Sequence, residues 1–496
     1  MIYYIMTDVE RNVEYVPRNA HVEATQCNRI KHTPVNGSTF TKTNDYIEWR
    51  LNPDGTFIDA PRTRLNLKLS ATGGVSSAAT GIFTSPSIWS VFTRWEVRQG
   101  GRLLENCIDQ NRIYSALSKI YSSTAQSQSV GSITDCYEVP SLTQSNISAV
   151  GIKLTTGADP IQPVYRTHNV SVPIVLSNLF GSSATKAYPN AMLKEPTTIR
   201  LYITNNVEEV LYAQAVGSTP TYNADTTFTL KDVSLEMTHV RYGPDVMSQI
   251  KRDSEGENEV TWDGVQCISS TNQIGYASTE RVILPNTSYS DVRNVIIQQW
   301  YPTLASNQIT MGCSPLNGTY QAQLFLDGNP IARNRPVGAS RSNEPINSVA
   351  ELAQSVLSLV RPFNVIDDAN TQISLTRSVT AASTRLNFTN NNAGGGPTGR
   401  PYDLVTTPVP LTSLFSPVVN HASGVYFGYV GFDLVRNGDP SRAQIGHDLR
   451  GRQLVYEARQ TNAIPAATTQ CVVQAILNIG VKYVLDRSAG TIRTIY

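Results

Sequence analysis

The chain has 496 residues, 40 Lys and Arg against 39 Asp and Glu, a formal net charge of +1 and only 16% charged residues. That length exceeds what one hydrophobic core holds and requires two or more domains. The charge balance excludes the broad basic footprint of a nucleic-acid-binding protein, and no run approaches the roughly 20 apolar residues of a membrane-spanning helix. A charge density below the roughly 25% of ordinary soluble domains leaves a surface of Ser, Thr, Asn, Gln and Tyr. Such a surface is either lightly charged and solvated or largely occupied by neighbouring subunits, since interface cores are depleted in charge.

Residues 1–40 show no sustained period and read as an N-terminal arm. It is not basic, because Asp8, Glu10, Glu14 and Glu23 offset Arg11, Arg18, Arg29 and Lys31. Its first six residues lack the basic and apolar segments of a secretion signal. Tyr46 to Leu51 puts Ile47, Trp49 and Leu51 on one face and runs into the turn Asn52-Pro53-Asp54-Gly55, where Pro presets φ and Gly permits a positive one. Arg64 to Leu69 alternates strictly, as a strand with one dry face does. Arg94 to Arg98 and Arg102 to Leu104 flank a Gly100-Gly101 hairpin turn. Asp109 is the expected N-cap of a short amphipathic helix carrying Ile113, Leu117 and Ile120. Thr198 to Ile203 and Ser234 to Thr238 are further strands.

A break at Gly243-Pro244 and the charge run from Lys251 to Glu257 predict a solvated connector and a domain boundary between Tyr242 and about Gln273. Beyond it, Ser348-Val349-Ala350-Glu351 fits a capping box, the Gly394–Gly396 tract reads as an exposed loop tip, and Leu477 to Tyr483 reads as a closing strand. The chain thus divides into an arm (1–40) and two β-sandwiches (41–250 and 251–496).

The two halves repeat one order of features. Leu65, Leu67 and Leu69 are answered by Val295 and Ile297, and the turn at Gln99-Gly100-Gly101 by Asp327-Gly328-Asn329. The helix residues Ile113, Leu117 and Ile120 are answered by Leu352, Val356 and Leu359. Val172-Pro173-Ile174 with Leu179-Phe180 is answered by Val409-Pro410-Leu411 with Leu414-Phe415. Leu235 and Met237 are answered by Leu477, Ile479 and Val481. Offsets near 228 to 242 residues, in constant order, indicate a duplicated domain with loop insertions.

Motifs for chemistry are absent, and no catalytic, cofactor-binding or metal-ligating residue is expected. The glycines at 394–396 have neither a strand before them nor a helix after them. His21, His32, His168, His239, His421 and His447 never pair at metal-ligand spacing; His239, in line with Met237, reads as a satisfied core histidine. Asp367-Asp368 reads as a solvated loop, since adjacent strand residues face opposite ways. Ser183 and Lys186 have S-x-x-K spacing without its companion motifs. Cys27, Cys107, Cys136, Cys267, Cys313 and Cys471 are scattered and read as reduced thiols. Two acids on distant strands would leave no local signature, so a glycoside-active enzyme is not eliminated by motif.

The duplicated sandwiches, the non-basic arm, the block Val172-Pro173-Ile174-Val175-Leu176-Ser177-Asn178-Leu179-Phe180-Gly181 before Thr198 to Ile203, and the strand Leu230 to Thr238 together resemble the double jelly-roll major capsid proteins of icosahedral double-stranded DNA viruses. The resemblance spans about residues 41 to 496. It implies an all-β fold of two consecutive eight-stranded jelly rolls with short helices in the loops. It also implies a virion shell protein, assembled inside the host cell, that forms homotrimeric pseudo-hexameric capsomers. The implied partners are other capsomers, penton and minor or cement proteins, and an internal membrane layer, with no sequence-specific nucleic-acid binding. The alternative reading is a secreted or surface carbohydrate-binding or adhesive β-sandwich protein, which would want a signal peptide and disulfides.

Overall fold

A computed structural model describes residues within 24–114, 134–135, 153–154, 167–215, 227–300, 315–339 and 426–496, with short gaps inside these spans. The first half contributes eight strands to the two main sheets among the described residues: β1 (Ala24–His32), β2 (Tyr46–Leu51), β3 (Phe57–Thr72), β4 (Phe92–Gln99), β5 (Arg102–Ile108), β6 (Thr167–Pro173), β7 (Thr197–Ile203) and β8 (Thr227–Tyr242). The second half contributes β9 (Glu259–Gly275), β10 (Thr279–Ile283), β11 (Val292–Trp300), β12 (Thr319–Leu326), β13 (Asn329–Ile331), β14 (Tyr429–Asp433), β15 (Leu454–Thr461) and β16 (Gln470–Asp486), followed by a closing strand β17 (Thr491–Ile495).

The sheets pair in the orders β1-β8-β3-β6 and β2-β7-β4-β5 in the first half, and β9-β16-β11-β14 and β10-β15-β12-β13 in the second. Adding eight to each label of the first half reproduces the second. Two four-stranded sheets joined in this order form a jelly roll, so the chain is a double jelly roll. Shorter strands extend it: Thr39–Thr41 joins β8, and Thr80–Thr84 pairs with Leu211–Ala215 and Lys153–Leu154.

Local sequence explains the dry faces. β2 and β7 alternate buried with part-exposed residues along their lengths, and Ile47, Trp49, Leu51, Ile199 and Leu201 enter the core with Leu65, Leu67 and Trp95. Burying each such side chain stabilises the fold by about 2–3 kcal/mol relative to exposure. Both expected hairpins form with two-residue turns. Gly100 and Gly101 have φ of 51° and 83°, and Asp327 and Gly328 have 50° and 83°, the paired positive values of a type I′ turn.

Three of the five internal correspondences fall on matching strands: β3 with β11, the β4–β5 hairpin with β12–β13, and β8 with β16. A fourth is corrected. Val172 lies opposite Leu65 as Phe432 lies opposite Val295, so the counterpart of β6 is β14, a longer offset than expected. The counterparts proposed at Val409–Phe415 and Leu352–Leu359 lie outside the described residues, as do the Gly394–Gly396 tract, the Ser348 capping box and Asp367-Asp368.

Other expectations change in detail. The stretch 1–40 is not all arm, because Ala24–His32 is the edge strand of the first jelly roll and Phe40 is buried. Gln26 through Lys31 are exposed, so the strand shows no alternation to read. The expected connector begins instead with a helix, α1 (Pro244–Asp253), and the boundary window up to Gln273 already contains most of β9. Asp109 precedes the helical residues 110–114, but at φ 56° it is not an extended N-cap.

Candidate assembly interface

The two jelly rolls meet where the edge strand β5 of the first crosses β9, β16 and β17 of the second. Glu105, on β5, is at the centre and only 2% exposed. Its Oε1 accepts from the Asn178 and Leu179 backbone N–H groups at 2.7 and 3.0 Å and from Tyr483 Oη at 3.0 Å. Its Oε2 accepts from Ser177 Oγ at 2.6 Å and Trp95 Nε1 at 3.1 Å. Burial pushes the carboxyl's pKa up, while Ser177, Trp95, Asn178 and Tyr483 pull it back. Five converging donors suit an ionised carboxylate, which only accepts. Tyr483 is the one donor from the second jelly roll, so this single group ties both halves.

Two amide side chains extend the seam by imitating a strand. Asn178 donates through Nδ2 to Val265 O and accepts from Val265 N–H at 3.0 Å. Gln99, fully buried, donates to Gly490 O at 3.0 Å and accepts from Ile492 N–H at 2.6 Å. Each thus engages both an N–H and a C=O of the second jelly roll, as a neighbouring strand would. Gln266 Nε2 reaches Leu104 O at 3.0 Å and Tyr483 Oη at 2.8 Å. The Asp109 carboxylate, expected to cap a helix, accepts instead from Ser269 Oγ at 3.0 Å and more distantly from Thr271 and Gln474.

Two glycines permit the close approach. A Cβ on Gly264 would lie 3.0 Å from the Tyr483 ring and 3.1 Å from Asn178. Gly490, at φ 64°, would place one 2.9 Å from the Lys194 backbone nitrogen. The covered face of the second jelly roll is polar but uncharged: Asn294, Asn478 and Cys267 bond in a row across β11, β16 and β9, and Gln298 bonds Gln474 beside them. Burial pushes the Cys267 thiol up to about 12 and the Cys107 thiol well above its ordinary value. Cys27, Cys107 and Cys267 are free thiols.

The sequence singles out Gln99 for a turn, Asp109 for a helix cap and Asn178 for the block before a strand, but it assigns none of them to a seam, and Glu105 looks like any wet-face acid on a strand. Among the described residues no three His, Cys, Asp or Glu side chains converge as a metal site. His239 is buried and hydrogen-bonded, in keeping with its expected role, but it also meets His32 from 207 positions away. That pairing had no local signature.

No protein-family model matches the chain, and no curated protein sequence matches it. Solved structures do. A chain of the Sputnik virophage structure superimposes with a TM-score of 0.55 at 12% identity, covering 98% of this chain and 91% of that one. A chain of the PBCV-1 virus capsid gives 0.53 at 10% identity, covering 95% and 96%. The likeness spans both jelly rolls and establishes a shared double jelly-roll fold.

Proposed function

We propose that this chain is a major capsid protein: a structural subunit, not an enzyme, that trimerises into pseudo-hexameric capsomers and tiles the icosahedral shell of a double-stranded DNA virus. The observation that carries the reading is the manner in which two equivalent jelly rolls dock. The β5 edge of the first lies on the β9–β16 face of the second. By the same internal symmetry, the corresponding surfaces at the far ends are the β13 edge of the second jelly roll and the β1–β8 face of the first. A second copy that repeats the contact joins β13 of one chain to β1–β8 of the next. A heterologous contact closes into a ring when its rotation fits, and a step of about 60° between like modules closes three chains into a six-sided ring. The capsid-derived neighbours of the same fold support this assignment.

Within such a shell, fivefold positions require a different, penton protein, and minor or cement proteins and an internal membrane layer are the further partners. The near-neutral charge favours no sequence-specific grip on nucleic acid. The place of the protein is the virion, assembled inside the host cell.

Native mass measurement of the purified full chain is the test, with electron microscopy of the same sample. A trimer with hexagonal outline is expected. A stable monomer or dimer at micromolar concentration, forming no particles, would refute the reading; selective glycan binding by that monomer would favour the carbohydrate-binding alternative.

A further inference from the structure

The His32–His239 pair lies in the first jelly roll, away from the seam, and joins three elements. His32 closes β1, His239 is on β8, and Asp54 and Thr56 come from the turn leading into β3. Thr56 Oγ donates to Asp54 Oδ1 at 2.6 Å, so its remaining role toward His239 Nδ1, 2.7 Å away, is to accept. Asp54 Oδ2 also faces Nδ1 at 3.2 Å. Nδ1 of His239 therefore carries the proton, and its Nε2 presents a lone pair to His32 Nε2, 2.9 Å away, which must donate. The arrangement is complete with both rings neutral. One added proton goes to the remaining lone pair, His32 Nδ1, and its charge can be shared across the Nε2–H···Nε2 bond beside the Asp54 carboxylate. A second would bring two N–H groups and two positive charges together.

Within one chain, little besides its backbone ladder with β8 fastens β1. Its residues Gln26 through Lys31 are exposed, none of the strand belongs to the buried core, and its one strand neighbour among the described residues is β8. Arg29 pairs with Glu236 at 3.2 Å, but the arginine side chain is 66% exposed and such pairs contribute little. By strand alternation Arg29, Lys31 and Glu236 occupy the opposite face. The ionisable groups acting on the pair are Asp54 and each imidazole on the other.

We propose that His32, His239 and Asp54 form an acid-released clasp that holds β1 on the first jelly roll near neutral pH and lets it detach on acidification. Burial first, then His239, pushes the His32 pKa down to about 4, against the pull of Asp54; burial likewise lowers that of His239. A histidine harder to protonate when folded contributes its full stability above its ordinary value of 6.5 and loses it as pH falls toward 4. The clasp therefore opens between those values, ahead of the strands that carry no such group.

Hydrogen exchange of the purified full chain, corrected for intrinsic rates, tests this. The built-in control is β9, the counterpart of β1, which pairs with β16 along its whole length without a histidine in either strand. Between pH 7 and pH 4.5 the protection of β1 should fall on the order of ten- to a hundredfold relative to β9. His32→Gln keeps a donor for His239 but cannot titrate, and should hold that fall to about threefold or less. Asp54→Asn removes the anion that offsets an added proton and should deepen the fall at pH 4.5. Parallel loss from β1 and β9, or equal acid loss in H32Q and the parent, overturns the proposal. Should H32Q not fold, an unchanged pH profile in D54N overturns it instead.

Discussion

The same sheet position is built in two ways in this molecule. In the first jelly roll, Lys31, Glu236 and Arg64 lie side by side across β1, β8 and β3. In the second, the matching row across β9, β16 and β11 is Cys267, Asn478 and Asn294. The first row is charged: Glu236 meets Arg29 and Asn66, and its strand keeps exposed residues such as Lys231 and Arg241. The second row is neutral and hydrogen-bonded, and β16 is buried without interruption from Val472 to Val481. The difference follows from what lies above. The first jelly roll covers the second's face, and removing a charge from water costs far more than removing an amide that keeps its partners. Duplication supplied two equal faces, and neutral polar residues mark the one that is covered within the chain.

Several changes would break or sharpen that contrast. The largest effect is expected at the seam itself. Glu105→Gln keeps one accepting oxygen but sets an NH₂ group against at least two of the five donors and should destabilise the protein by about 3 kcal/mol, read as a lowered urea midpoint. An unchanged midpoint would mean that the seam does not depend on this acceptor. Gly490→Ala, also at the seam, puts a side chain at positive φ against Lys194 and should cost about 2 kcal/mol, with no comparable effect from alanine at the surface position Ser488.

The two hairpins offer an internal comparison. Gly101 and Gly328 share φ 83° and have open space where a Cβ would go. Alanine at either should therefore cost the same, about 1 kcal/mol, and unequal costs in thermal unfolding would break the equivalence of the halves. The smallest stability effect is expected on the charged row. Arg29→Glu should change stability by less than about 1 kcal/mol, yet it places a second acid beside Glu236 on the face offered to a neighbouring chain. Native mass should then shift from trimer toward monomer; a trimer as stable as the parent's would remove β1 from the subunit contact.

Strands with one dry face were legible from local pattern, because period-two alternation reports burial directly: Ile47, Trp49, Leu51, Leu65, Leu67 and Leu69 all enter the core. The hairpin turns were legible because positive φ at Gly100, Gly101 and Gly328 demands specific residues. β1 was missed because an edge strand exposed along its length has no alternation. β16 was only partly read, since a strand buried on both faces alternates weakly, while β9, part-exposed along its length, fell inside the expected boundary window.

What the amino-acid sequence determined by itself is the β-sandwich character, the duplication and the lack of a basic arm or a long apolar run, all properties of composition and short-range period. Tertiary structure alone decided which polar groups act. Glu105 and Tyr483 are 378 positions apart, Gln99 and Ile492 are 393 apart, and His32 and His239 are 207 apart. Each residue is unremarkable in its own segment. Their chemistry arises only when docking and strand pairing remove water and leave each group the other as a partner, because a buried polar group must find its hydrogen bond wherever the fold places one.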